Sequence, residues 1–286
     1  MVLDPTVWVW LPLISAILFG FTSHKPITNI LLAFSMISAF AVGRIDAFAL
    51  AISVVLLSIA YSIPKLINER RYQAPVYKTA AYVGWSIVVL LSALLFMHKI
   101  PGFYNLLVLN KVYAGPDSIP FSMYLNLDKP IAFFALLFAY PTLLGDKGRP
   151  NGKGLLITIA LLASLLPVAS LIGALQIEVG LPDWWWIFAI NNLMITCVAE
   201  EALFRGLIQK SLSERYVWWI GLLVASLLFG LAHIAGGPLL MLFATFAGIG
   251  YGLIFHFTGR LWCSVLAHFS LNFAHLVLFT YPIAAQ

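Results

Sequence analysis

Residues 186–209 read WIFAINNLMITCVAEEALFRGLIQ, an apolar run broken by two adjacent glutamates and one arginine. At ~1.5 Å rise per residue it is long enough to cross the ~30 Å apolar core of a bilayer. The whole chain has the same character. Of 286 residues, 62% are hydrophobic and 9% charged, with a mean hydropathy of +0.97, whereas soluble domains carry roughly 25% charged residues. So few charges cannot cover a water-facing surface, while lipid requires almost none. Disorder, a disulfide scaffold and a nucleic-acid module are excluded together. Aromatics reach 14%, there are two cysteines, and the net charge of +5 is thinly spread. Cys197 and Cys263 sit in apolar stretches and read as small buried hydrophobes.

Dividing the chain at charge and Pro/Gly clusters gives apolar segments at 7–23, 27–43, 47–63, 79–98, 130–145, 154–175, 186–209, 217–235, 238–258 and 261–280. The expected fold is all-α, a polytopic transmembrane bundle of about eight to ten spans. The 130–145 segment is the shortest for a bilayer. The first stretch follows Met1 with Asp4 and no Lys or Arg, so it lacks the basic region of a cleavable signal and is expected to be retained. With ten spans, the odd loops hold Lys25, Lys65, Arg70, Arg71, Lys78, Lys147, Arg149, Lys153, Lys210, Arg215 and Arg260. The even loops hold Arg44, Lys99, Lys111 and Lys129. The Lys/Arg excess marks cytoplasmic loops, which predicts both termini outside, in a multi-pass protein of the cell membrane. The 99–129 connection, long and aromatic, reads as interfacial or partly re-entrant. Trp184, Trp185, Trp186, Trp218 and Trp219 read as interfacial anchors. Gly248 and Gly252, four apart, read as close helix packing rather than a hinge.

Ionisable groups inside apolar spans are costly and mark functional paths or sites. They cluster in the last third. In Ala199-Glu200-Glu201-Ala202-Leu203-Phe204-Arg205, Glu201 and Arg205 are four apart and share a helix face, so they can neutralise each other. Glu200 points about 100° away and is left for chemistry. Phe229-Gly230-Leu231-Ala232-His233 lies near the end of the next span, and His268 and Asn272, again four apart, share a face of the last one. From the expected cytoplasmic ends, Glu200 lies ~14 Å deep, His268 ~11 Å, Asn272 ~17 Å and His233 ~24 Å. A single membrane His or Asn serves most often as interhelical glue. Glue does not require two adjacent acids, two His and an Asn on three of the last four spans.

Together the three clusters resemble the CAAX protease and bacteriocin-processing (CPBP) family of intramembrane endopeptidases, marked by Glu-Glu-x-x-x-Arg, then Phe-x-x-x-His, then His-x-x-x-Asn. These match at Glu200, Glu201 and Arg205, at Phe229 and His233, and at His268 and Asn272. The resemblance covers roughly 184–280. It divides the chain into residues 1–183, N-terminal helices without an assigned role, and residues 184–286, the helices of a catalytic core. It implies hydrolysis of a peptide bond in a membrane-associated protein substrate. In that reading Glu200 deprotonates the attacking water, His233 holds the water, His268 and Asn272 face the oxyanion, and Glu201 with Arg205 fixes the helix. A Glu-activated water without a cofactor is favoured. Zinc on Glu200, His233 and His268 remains the alternative, since the family is described both as metal-dependent and as glutamate-dependent. No tight His-Glu-x-x-His motif supports it.

Two other readings compete. One is a non-proteolytic scaffold or immunity protein of the same fold. The other is a proton-coupled transporter, which paired broken helices in repeated halves would favour. Asn191 and Asn192, eight or nine residues before Glu200, can line the same cavity or serve as glue. His256 and His275 lie near the site or near helix ends, and His24 and His98 read as interfacial.

Overall fold

A computed structural model describes residues 6–68, 74–146 and 148–284. Met1, Asp4, Arg70, Arg71 and Lys147, used in the reading above, lie outside them. Among the described residues ten helices fill the ten apolar segments: α1 (Val7–Gly20), α2 (Lys25–Ala41), α3 (Ala47–Asn68), α4 (Pro75–Phe96), α5 (Asp128–Ala139), α6 (Gly152–Leu171), α7 (Trp185–Arg215), α8 (Trp218–Leu231), α9 (Pro238–Thr258) and α10 (Leu261–Leu278). Six of them, α3, α4, α6, α7, α9 and α10, are long and apolar enough to cross a membrane, the pattern of a multi-pass integral membrane protein. That number is below the eight to ten expected, and the reason is length. Helices α1, α2 and α8 have 14, 17 and 14 residues, or ~21–26 Å, against a core of ~30 Å. Helix α5 has 12 residues and differs in kind. Ile131 through Leu136 are at most 1% exposed, so its apolar residues face protein on every side. Pro141 pushes Tyr140 into an extended conformation and ends the helix there.

The chain divides into two compact units, Met1–Leu106 with Leu125–Leu143, and Leu107–Tyr124 with Leu144–Gln286. In the first unit, Ser35 Oγ of α2 donates to the Val9 carbonyl of α1 at 2.8 Å. Two residues past the end of α4, His98 takes a left-handed backbone of φ +53°. Its Nδ1 holds the carboxylate of Asp128, which is 2% exposed at the start of α5. His98→Ala should leave that buried carboxylate short of its imidazole partner and cost ~1–3 kcal/mol. A lowered unfolding temperature in detergent is the expected reading, and an unchanged one would show that this contact stabilises nothing.

The second unit holds α6 to α10 and a two-stranded sheet, β1 (Leu106–Val112) and β2 (Phe121–Leu125). The all-α expectation is corrected here, and the 99–129 connection carries strands. Phe121 and Met123 point inward while Ser122 and Tyr124 point out, the period-2 signature of a half-buried strand. Leu109 and Met123 pack on Phe188 of α7 and Leu276 of α10. At the tip, Gly115-Pro116-Asp117 turns the chain, and Glu178 accepts from the Asp117 N–H at 2.7 Å and from the Ser118 hydroxyl.

Backbone contacts define both ends of this unit. At one end, Leu261 N–H donates to Leu144 and Arg149 N–H to His256, both at 3.0 Å. A Cβ on Gly145, at φ +100°, would come within 2.1 Å of the Gly259 carbonyl oxygen, so only glycine fits that crossing. Arg149, Lys153, Lys210, Arg215 and Arg260 all flank this end. At the other end, Glu178 N–H donates to Leu278 at 3.0 Å and Thr280 N–H to Gln176 at 2.9 Å. Helix α8, though short, connects the same two ends as its longer neighbours.

Candidate active site

Glu201 and Arg205 lie one turn apart on α7 and both are fully buried. Arg205 Nε is 3.2 Å from Glu201 Oε2, an ion pair at an angle short of a hydrogen bond. Arg205 Nη2 donates to the Gly248 carbonyl of α9 at 2.8 Å. Aromatic faces close around the guanidinium, with Phe229 at 4.7 Å and Tyr251 at 5.4 Å. The other Glu201 oxygen, Oε1, pairs with His268 Nδ1 of α10 at 2.9 Å. One carboxylate therefore ties α7 to α10, and through Arg205 to α9. His268 is also stacked on Tyr251, with ring centroids 4.7 Å apart.

Beside this lock lies a cavity of about 570 Å³. Its walls are mostly apolar, from Leu165, Leu166 and Ala169 of α6 and from Phe243, Ala244 and Ala247 of α9, with a polar face of His233, His268, Asn272 and His275. His233 sits just past the end of α8, and its Nδ1 donates to the Phe229 carbonyl at 2.8 Å. Phe229, 2% exposed, has its ring 4.7 Å from His233 and 5.5 Å from His268. The spacing Phe-x-x-x-His thus acquires a physical meaning, since the phenylalanine orients one imidazole by its carbonyl and packs on both by its ring. The Nδ1 bonds fix both rings, so each turns its Nε2 edge away from these bonds. His233, at ~24 Å the outlier of the depth comparison, lines the same cavity as His268 and Asn272.

Glu200 precedes the lock residue Glu201 on α7. It is half-buried on the four-residue stretch Val198–Glu201, and the side chains lining the cavity do not include it. Helix α7 widens to i→i+5 turns on both sides of that stretch, over Asn191–Cys197 and Ala202–Gln209. Such wide turns recur at functional sites, and nothing in the sequence signalled them. In the first, Asn192 reaches across to α10. Asn272 Nδ2 donates to Asn192 Oδ1 at 3.2 Å, and Cys197 Sγ donates to the same oxygen at 3.3 Å. Asn191 is buried instead, and its Oδ1 has no partner among the described residues.

The Gly248/Gly252 pair is where α9 meets α7. Gln209 Nε2 donates to the Gly252 carbonyl at 2.9 Å, one turn along from the bond between Arg205 and Gly248. A Cβ at Gly252 would sit 2.4 Å from Leu222 and 2.6 Å from Gln209 Oε1. Gly252→Val should therefore displace the Leu222 side chain of α8 and the Gln209 side chain of α7 and cost ~1–3 kcal/mol. Thermal unfolding in detergent measures this; a variant as stable as the parent would show that these side chains move aside without penalty.

His275 lines the cavity at the sheet end, its Nε2 donating to the Thr280 carbonyl at 3.1 Å. Burial raises the neighbouring Tyr281 phenol well above its ordinary range, so it stays neutral. His256 lies at the basic end, stacked on Trp218 with centroids 4.4 Å apart. Zinc does not fit this arrangement. Among the described residues no three His, Cys, Asp or Glu side chains are placed to hold a metal ion.

No curated protein and no solved structure matches the chain. The stretch that holds the lock, both imidazoles and the Asn192–Asn272 pair, residues 182–274, matches the family model of the type II CAAX prenyl endopeptidases, Rce1-like, and is a domain of that protease family.

Proposed function

We propose that the protein is an intramembrane endopeptidase that hydrolyses a peptide bond of a membrane-associated protein by a water that Glu200 deprotonates. The observation that carries this is the state of Glu201. Both its oxygens are engaged, by His268 and by Arg205, and the side chain is fully buried. A proton passing through it would break the lock, so of the two adjacent acids we assign the general base to the half-buried Glu200. His233 holds the water, its ring fixed by the Phe229 carbonyl. His268 and Asn272 face the oxyanion, where donors held in place beforehand in a dry site act most strongly. The water attacks the scissile carbonyl, its proton goes to Glu200, and Glu200 returns a proton to the leaving amine as the carbon–nitrogen bond breaks.

The end of the second unit with Arg149, Lys153, Lys210, Arg215 and Arg260 faces the cytoplasm of the cell membrane in this reading. Helices α1, α2 and α8 complete the span number toward eight to ten, each with local thinning of the bilayer.

Comparing native protein termini in membranes from cells with the intact protein and with Glu200→Gln, at equal abundance, tests the proposal. Termini that disappear in the variant identify both the activity and the substrate. Unchanged termini, in cells where both proteins give the same phenotype, would leave the scaffold or immunity reading.

A further inference from the structure

We infer that Asn192 is a positioning residue, whose side-chain carbonyl holds Asn272 with its nitrogen, not its oxygen, available to the reacting carbonyl. This rests on the protease reading above. The two ends of an asparagine amide have nearly the same shape and opposite chemistry. Nδ2 has two hydrogens to offer a developing oxyanion. Oδ1 has only lone pairs, and would repel it. An asparagine that serves as an oxyanion donor therefore needs something that chooses the end.

The two side chains that hold the Asn272 amide, Asn192 and Cys197, lie on α7 rather than on its own helix. Asn192 Oδ1 accepts one Nδ2 hydrogen at 3.2 Å, and it also accepts from Cys197 Sγ at 3.3 Å. A carbonyl oxygen has two lone pairs, and both are now used. Asn192, presenting its oxygen, fixes which end Asn272 presents. The other contact of Asn272 Nδ2, to Cys197 Sγ at 3.9 Å, is long and to a weak acceptor, so its second hydrogen can be given up to an oxyanion in the cavity that Asn272 lines. The wide turns of α7 make this possible. Asn192 and Cys197 are five apart, which in a regular α-helix would place them about 140° from each other. The i→i+5 turns over Asn191–Cys197 bring them onto one face.

The test uses the full-length protein in proteoliposomes with an internally quenched farnesylated CAAX peptide. Where the intact protein does not cleave this probe, the peptide spanning a terminus lost with Glu200→Gln takes its place. Asn192→Leu, which removes the acceptor, should lower kcat about 10–100-fold with little change in KM. Asn192→Asp, which retains an acceptor, should restore most of the rate. The double variant Asn192→Leu/Asn272→Ala should be no slower than Asn272→Ala alone, because Asn192 acts only through Asn272. Where Leu does not fold, Asn192→Ala serves in the same cycle. Losses that multiply in the double variant would make Asn192 a general structural contact and overturn the inference. So would a full rate for Asn192→Leu beside a slow Asn272→Ala, or a full rate for Asn272→Ala itself. The protease reading is judged separately: it fails if the intact protein cleaves no probe and its membranes show no terminus that the Glu200→Gln membranes lack, whereas normal cleavage by Glu200→Gln removes only that residue as base.

Discussion

Glu200→Gln is expected to lower the rate of peptide-bond cleavage ~10²–10⁴-fold, the range that a positioned general base contributes, and to leave the unfolding temperature in detergent unchanged. The amide has nearly the shape of the carboxylate but cannot accept the water's proton. Stability should not follow activity, because the side chain is half-buried and the interhelical lock belongs to its neighbour. The comparison with Glu201→Gln sharpens this. That variant should lose stability as well as rate, since it leaves Arg205 buried without its counter-charge. The measurements are initial rates in proteoliposomes beside thermal unfolding of each variant. A Glu200→Gln protein that cleaves at the parental rate would remove this residue as base. A loss of rate that merely tracks a loss of folded protein would make the residue structural.

The sequence made the helices legible because lipid imposes a simple rule, and each of the ten apolar segments holds one. Which of them can span is less legible. Helix α5 is apolar on all sides, and composition alone does not separate a short buried helix from a membrane span. The strands were written in Gly115-Pro116-Asp117 and in the alternation of Phe121 to Tyr124. The same mixture of aromatic and aliphatic residues also describes an interfacial segment, and composition alone does not separate the two. At the candidate site, contacts within one helix followed from spacing, as with Glu201 and Arg205. Contacts between helices did not. Nothing along the chain says that His268 meets Glu201 rather than Glu200, and nothing distinguishes Asn192 from Asn191 until the wide turns of α7 set one toward α10 and bury the other. The motif reading bounded the site at 184–280, and the family match runs over 182–274.

Arg205→Met is expected to destabilise the protein by ~3–5 kcal/mol, enough to remove most of its folded population. Methionine fills much of the space among Phe204, Phe229 and Tyr251, so the loss is not one of volume. It arises from Glu201, whose carboxylate would keep its His268 contact but lose its only cation of fixed charge at 0% exposure. The Gly248 carbonyl would also lose its side-chain donor. Removing both charges separates these terms. In Glu201→Gln/Arg205→Met no buried charge remains uncompensated, so the double variant should be more stable than Arg205→Met alone. Arg205→Lys should fall between, because an ammonium keeps the charge but cannot reach Glu201 and Gly248 in one planar fork. Folded yield by size exclusion and unfolding temperature in detergent report all three. If Arg205→Met is as stable as the parent, Glu201 is not held as a charge in this bundle, and the argument that reserves Glu200 for the chemistry fails with it.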